Sequence, residues 1–164
     1  MSAKEFDLPD VAGLLSQAVL RVDAAQRPLL VAIAERMAAE RYRHWAGVLP
    51  EREAELLACA AREEEIAGRV EALHPEAAAV QRDIQAKHPD LSQVYSALFA
   101  GRRVAEQLAI QAQGERLGAA TWRAFAAAAS DPRTRETFLA CAPLEEENAA
   151  CLETLVAEAQ PARS

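Results

Sequence analysis

Aromatic residues make up only 5% of this 164-residue sequence, and glycine and proline together supply 14 positions (6 and 8). That scarcity argues against a sheet-rich, turn-rich fold and favours helix. Three cysteines, Cys59, Cys141 and Cys151, are too few for a disulfide scaffold in a chain of this size. Free thiols and a reducing compartment are therefore expected. No run of about 18 uncharged apolar residues occurs, and MSAKEFDLPD places no apolar segment ahead of a cleavage site. Neither a membrane span nor a signal peptide is expected, and the cytoplasm is the default location. The chain also lacks a Lys/Arg block and a glycine-rich phosphate loop, and its 18 basic against 25 acidic residues leave a net charge of −7. Nucleic acid and anionic membrane surfaces are thus not expected partners, whereas cations can be.

Alanine, leucine, glutamate, arginine and glutamine fill the remaining sequence, so the reading is all-α. The length suits one domain, 1–164, which buries roughly two-thirds of its unfolded surface. Apolar residues at helical spacing (Leu8, Val11, Leu14, Leu15, Ala18, Val19, Val22) predict a short leading helix over about 8–22, packed across the rest. A first helical hairpin spans about 26–73: one helix ends near Gly47, and the next starts at Pro50. His74-Pro75 and Pro89 bound a polar crossover over about 74–89 with room for a short helix. A second hairpin spans about 90–158: a helix to about 129 with a kink near Gly101, then Ser130-Asp131-Pro132 opening the last helix. The tail QPARS is expected to fray. Short connections within each half and a long one between them give the layout of a four-helix bundle with one crossover.

The two halves resemble each other. Residues 35–46, ERMAAERYRHWA, align without gaps on residues 115–126, ERLGAATWRAFA, at an offset of 80. Residues 57–67, LACAAREEEIA, align on 139–149, LACAPLEEENA, at an offset of 82. Two blocks in the same order imply a duplicated helical hairpin, with repeated positions facing each other across a pseudo-twofold axis.

Glu35 followed by Tyr42, Glu115 followed by Trp122, and the glutamates opening the triplets at Glu63 and Glu145 resemble the ferritin-like superfamily, in particular its rubrerythrin-like branch. The resemblance covers about residues 26–156. It implies a ferritin-like bundle whose core holds a carboxylate-bridged dimetal centre, with Glu35, Glu63, Glu115 and Glu145 as ligands. It also implies Tyr42 bonded to a ligating carboxylate, and dioxygen or peroxide as the substrate class. The family's histidine, three residues after the second-helix glutamate, is replaced by Ile66 in one half and Asn148 in the other. Asn148 takes that ligand position by resemblance, and the loss of both imidazoles weakens Fe, Zn and Cu binding relative to ions that accept oxygen alone, such as Mn or Mg.

The residues themselves support part of this. Seven positions separate Glu35 from Tyr42, which puts them within about 20° on one helix face. Small or apolar neighbours flank all four glutamates one turn away. Carboxylates on such a strip need protonation, pairing or metal, and four of them carry a charge that two divalent cations balance. The competing reading pairs them with Arg36, Arg62 or Arg116, or leaves them solvated at the rim. Each glutamate triplet also leaves open which member faces inward. Cys59 and Cys141, equivalent in the repeat, could lie near each other as soft ligands or a redox pair, or serve as small core residues. His44, His74 and His88 fall outside the pattern. Pro143 should kink the last helix or mark a shorter one. Tyr42, Trp45, Trp122 and Phe125 are expected in the core layer beyond the glutamates.

The expected function is a redox or metal-handling protein, an oxidoreductase using Fe or Mn. The alternative is a metal-free scaffold or partner-binding module of the same fold, with no cofactor. Alanine-rich outer faces allow a homodimer, and a redox partner is not identified.

Overall fold

A computed structural model describes residues 6–159, and these are all-helical, with no strand among them. Seven α-helices follow in order: α1 (Val11–Leu20), α2 (Arg27–Val48), α3 (Glu53–Glu71), α4 (Ala77–Lys87), α5 (Leu91–Ala97), α6 (Val104–Ala128) and α7 (Pro132–Ala159). No helix is long and apolar enough to cross a membrane.

The long helices pack as two pairs, α2 with α3 and α6 with α7, and the pairs meet chiefly through α3 and α7. Helix α1 lies across α2 and α6, and α4 rests on α2. The Asp10 carboxylate starts α1 by accepting the Gly13 N–H at 2.9 Å. Pro28 and Pro50 fall in the first turns of their helical segments, where a missing N–H costs nothing. Asp131 opens α7 by accepting from the Thr134 amide and hydroxyl, both at 2.8 Å.

Two parts of the second half differ from the sequence expectation. The segment 90–129 is two helices rather than one kinked helix: α5 ends at Ala97, and a turn containing Gly101 at φ 72° precedes α6. Only glycine takes that left-handed conformation at little cost, so a helical periodicity continues in sequence where the backbone reverses. Helix α7, by contrast, runs unbroken through Pro143. Pro143 is on the exposed face, as is Leu139, whose carbonyl the proline cannot cap, so water can satisfy that oxygen. The tail after residue 159 lies outside the described residues.

Apolar packing divides along the long axis. Ile66, Val70, Trp122, Phe138 and Cys141 fill one end, and Tyr42, Trp45, Leu56, Cys59 and Leu152 fill the other. Between these two layers the interior is polar.

Candidate metal centre

Four carboxylates occupy that polar layer, one from each long helix: Glu35 on α2, Glu63 on α3, Glu115 on α6 and Glu145 on α7. Glu63, Glu115 and Glu145 are at most 1% exposed, and Glu35 is 8% exposed. Carboxylate oxygens of Glu35, Glu63 and Glu145 all lie within 4.8 Å of one another. The triplet register is resolved in favour of the first member. Glu64 pairs with Arg36 and Arg43, Glu65 with Arg69, Glu146 with Arg123 and Glu147 with Arg62, all at the surface. Arg116 pairs with Glu153. The arginines that would have neutralised the inner glutamates are thus engaged outside.

Neutral donors hold three of the four. The Tyr42 hydroxyl donates to Glu115 Oε1 at 2.6 Å, and Gln111 Nε2 donates to the same oxygen at 2.8 Å. Trp122 Nε1 donates to Glu145 Oε1 at 2.8 Å. Asn148 Nδ2 donates to Glu63 Oε1 at 2.6 Å and to the Cys59 carbonyl at 3.3 Å. Arg62 donates to Asn148 Oδ1 at 3.2 Å, so the amide faces the cluster with its nitrogen. These bonds orient the carboxylates without cancelling their charge. Glu63 Oε2 and Glu115 Oε2 are buried with no hydrogen-bond partner.

Burial and mutual repulsion raise the pKa values of Glu35, Glu63 and Glu145. Desolvation, with the Glu115 charge, lifts Glu35 to about 7. Desolvation followed by the charges of neighbouring glutamates holds Glu63 and Glu145 well above the usual range. Desolvation, then the Glu115 charge, keeps the Tyr42 phenol protonated and therefore a donor.

The pseudo-twofold is visible in this layer and broken in two places. Tyr42 reaches across to Glu115, but its repeat equivalent Trp122 bonds Glu145 in its own half and leaves Glu35 without a neutral donor. Arg62 and Asn148 form a polar pair at one side, whereas their equivalents Leu144 and Ile66 both belong to the apolar cluster at the other. The repeat therefore carries different chemistry at its two ends.

A cavity of about 280 Å³ adjoins the carboxylates on the Glu35 side, beneath α1. Glu35, Glu115 and Glu145 line it, together with apolar residues of α1, α2, α5 and α6 and the partly buried Arg41. Sequence reasoning missed both the cavity and Arg41. The one available signal was the run of small residues beside the glutamates, which leaves the space open.

Of the two readings of Cys59 and Cys141, the structure shows small core residues and not a close pair. Cys59 and Cys141 sit in opposite apolar layers, and Cys141 bonds the Thr137 carbonyl within α7. Cys59 instead shares its layer with Cys151, whose thiol is pulled down to about 7 by the neighbouring Cys59. All three thiols are free. Trp45, Tyr42 and Trp122 are fully buried and Phe125 partly so, while His44 is exposed and His74 and His88 lie away from the cluster. No protein family, curated protein or solved structure matches this chain.

Proposed function

We propose that this protein is a ferritin-like dimetal-carboxylate protein with a redox or metal-handling role toward dioxygen or peroxide. One observation carries the reading: four buried glutamates, one from each long helix, converge with neutral donors on one oxygen of three of them, while buried oxygens of Glu63 and Glu115 remain unpartnered. Such an arrangement is costly when empty and charged, and two divalent cations would balance its −4. The donor set is all oxygen, which suits Mn or Fe(II) better than Zn or Cu. A bound redox-active cation would supply the electrons for reducing dioxygen or peroxide.

Within that reading the chain's own residues divide the work. Glu35, Glu63, Glu115 and Glu145 hold the cations. Tyr42, Gln111, Trp122 and Asn148 fix carboxylate orientation, and the apolar wall beneath α1 limits water on the Glu35 side. The absence of imidazole at Ile66 and Asn148 favours the competing reading, a metal-free scaffold of the same fold.

Elemental analysis separates the two readings. Protein purified without chelators and reconstituted with Fe(II) or Mn(II) should retain about two cations per chain and melt at a higher temperature. No bound Fe, Mn or Zn, with an unchanged melting temperature, overturns the proposal in favour of the scaffold.

A further inference from the structure

We propose that the cavity beneath α1 binds an apolar monocarboxylate, its carboxylate on Arg41 and its hydrocarbon end toward the glutamate cluster. The orientation toward the glutamates rests on the cation reading above; the binding itself does not.

The space is built into the repeat. Ala34 and Ala38 on α2, and their equivalents Gly114 and Gly118 on α6, line the cavity from both sides. A Cβ added at Gly114 would meet nothing within 4 Å, so the void continues to the α6 backbone. Its volume of about 280 Å³ corresponds to an occupant on the order of ten non-hydrogen atoms, taking about 30 Å³ for a water-sized group. Val11, Leu15, Leu98 and Ile110 make most of the wall hydrocarbon, which selects an apolar body.

Arg41 selects the head group. Its Nε donates to Gln111 Oε1 at 3.1 Å, and its guanidinium lies 4.4 Å over the Phe99 ring, so the plane is fixed from two sides. Among the described residues it forms no ion pair, whereas Arg36 and Arg43 on the same helix each hold carboxylates. A pre-oriented guanidinium with its terminal nitrogens free is matched by one carboxylate in bidentate contact. A neutral ligand would leave those donors unpaired, and a cationic one would be repelled. Arg41 and Gln111 together offer too few donors for a dianionic phosphate. Arg41 and Phe99 also border an outer cleft lined by Met37, Glu40, Ser96 and Gln107, so the head group lies at the solvent end. Glu40 there is held by Arg43. In the metal-free protein Arg41 faces the field of Glu115, Glu63 and Glu35; once cations balance those charges, its positive charge is left for the ligand.

Isothermal titration of the full chain with sodium octanoate, 1-octanol and octylammonium tests this, in metal-free and Mn(II)-loaded protein, with cation content measured in the same samples. Octanoate should bind one per chain, at least about tenfold more tightly than octanol, and more tightly when Mn(II) is present. Arg41→Met should erase the difference between octanoate and octanol, Arg41→Lys should keep part of it, and Gly114→Leu should block both ligands. Octanoate that fails to bind either form, binds no better than octanol or octylammonium, or binds Arg41→Met unchanged overturns the inference. The ligand comparison needs no variant to fold. Octanoate binding without cation uptake would overturn the metal reading alone.

Discussion

Gly118 lies so close to Glu145 that a Cβ on the glycine would stand 2.6 Å from Oε1 and 2.7 Å from Cδ of the carboxyl group. The cluster therefore depends on a missing side chain as well as on four present ones. Gly118→Ala should push the Glu145 carboxylate from its place beside Trp122 and lower Mn(II) affinity about tenfold or more. The metal-free protein should change little, because an alanine in a helix interior is favoured by about 1 kcal/mol over glycine and offsets the crowding. Metal titration and thermal melting of the same variant separate the two effects. Unchanged affinity would show that Glu145 is not a ligand.

The pH dependence of stability follows from the raised carboxyl pKa values. Glu35, Glu63 and Glu145 bind protons more tightly folded than unfolded, so folding takes up protons and stability falls as pH rises. The loss begins above the unfolded value near 4.5 and continues through about 7, where Glu35 titrates. Metal-free protein should melt at a lower temperature at pH 8 than at pH 5. Cations bind the ionised carboxylates, so the melting increment given by Mn(II) should grow over the same range. A metal-free melting temperature that rises from pH 5 to pH 8 would contradict this account.

Replacing Glu63 and Glu145 with glutamine should raise the melting temperature of the metal-free protein at pH 8, since neither group then has to take up a proton or bury a charge on folding and the shape is kept. The same double variant should take up no Fe or Mn. Stabilisation without any cation effect in either form would mean that these carboxylates are not ligands.

Tyr42→Phe removes one of the two donors on Glu115 Oε1 and leaves Gln111 in place. A hydrogen bond to a charged group contributes about 1.5–3 kcal/mol, so a loss near the lower figure is expected in the metal-free protein. Chemical denaturation measures it, and a loss well below about 0.5 kcal/mol would show that the hydroxyl is not holding the carboxylate.

Much of the helical organisation could be read from one dimension. The all-helical class follows from composition, and the breaks at Leu49-Pro50, His74-Pro75 and Asp131-Pro132 follow from local chemistry that acts over a few residues. The inner member of each triplet was not legible from spacing alone, because which glutamate turns inward depends on the residues that packing brings to it, Asn148 to Glu63 and Trp122 to Glu145. The cavity was hidden for a related reason: Ala34, Ala38, Gly114 and Gly118 read as good packing residues until α1 is seen to bridge α2 and α6 above them. The Cys59 and Cys151 pair was missed because repeat equivalence pointed to Cys141, and packing of α3 against α7 decided otherwise.

Cys151 should be the most reactive of the three thiols. It is half-buried, and the neighbouring Cys59 thiol pulls its pKa down to about 7, while burial pushes Cys141 up to about 12. Limited alkylation with iodoacetamide at pH 7.5, followed by peptide mass mapping, should label Cys151 first. Equal labelling of Cys141 would rule this out.

The pairing of Arg62 with Asn148, set against Leu144 and Ile66 at the equivalent places, gives the centre a direction. On one side the carboxylates are backed by an amide and a partly hydrated guanidinium; on the other they are backed by hydrocarbon. Across the α3–α7 pair, the Arg62 side offers protons a polar approach, and the Ile66 side acts as insulation. A chain that reads as a doubled hairpin has thereby lost the interchangeability of its halves. Exchanging the two residues, Ile66→Asn together with Asn148→Ile, would strand the amide among apolar neighbours and leave Arg62 facing a methyl group.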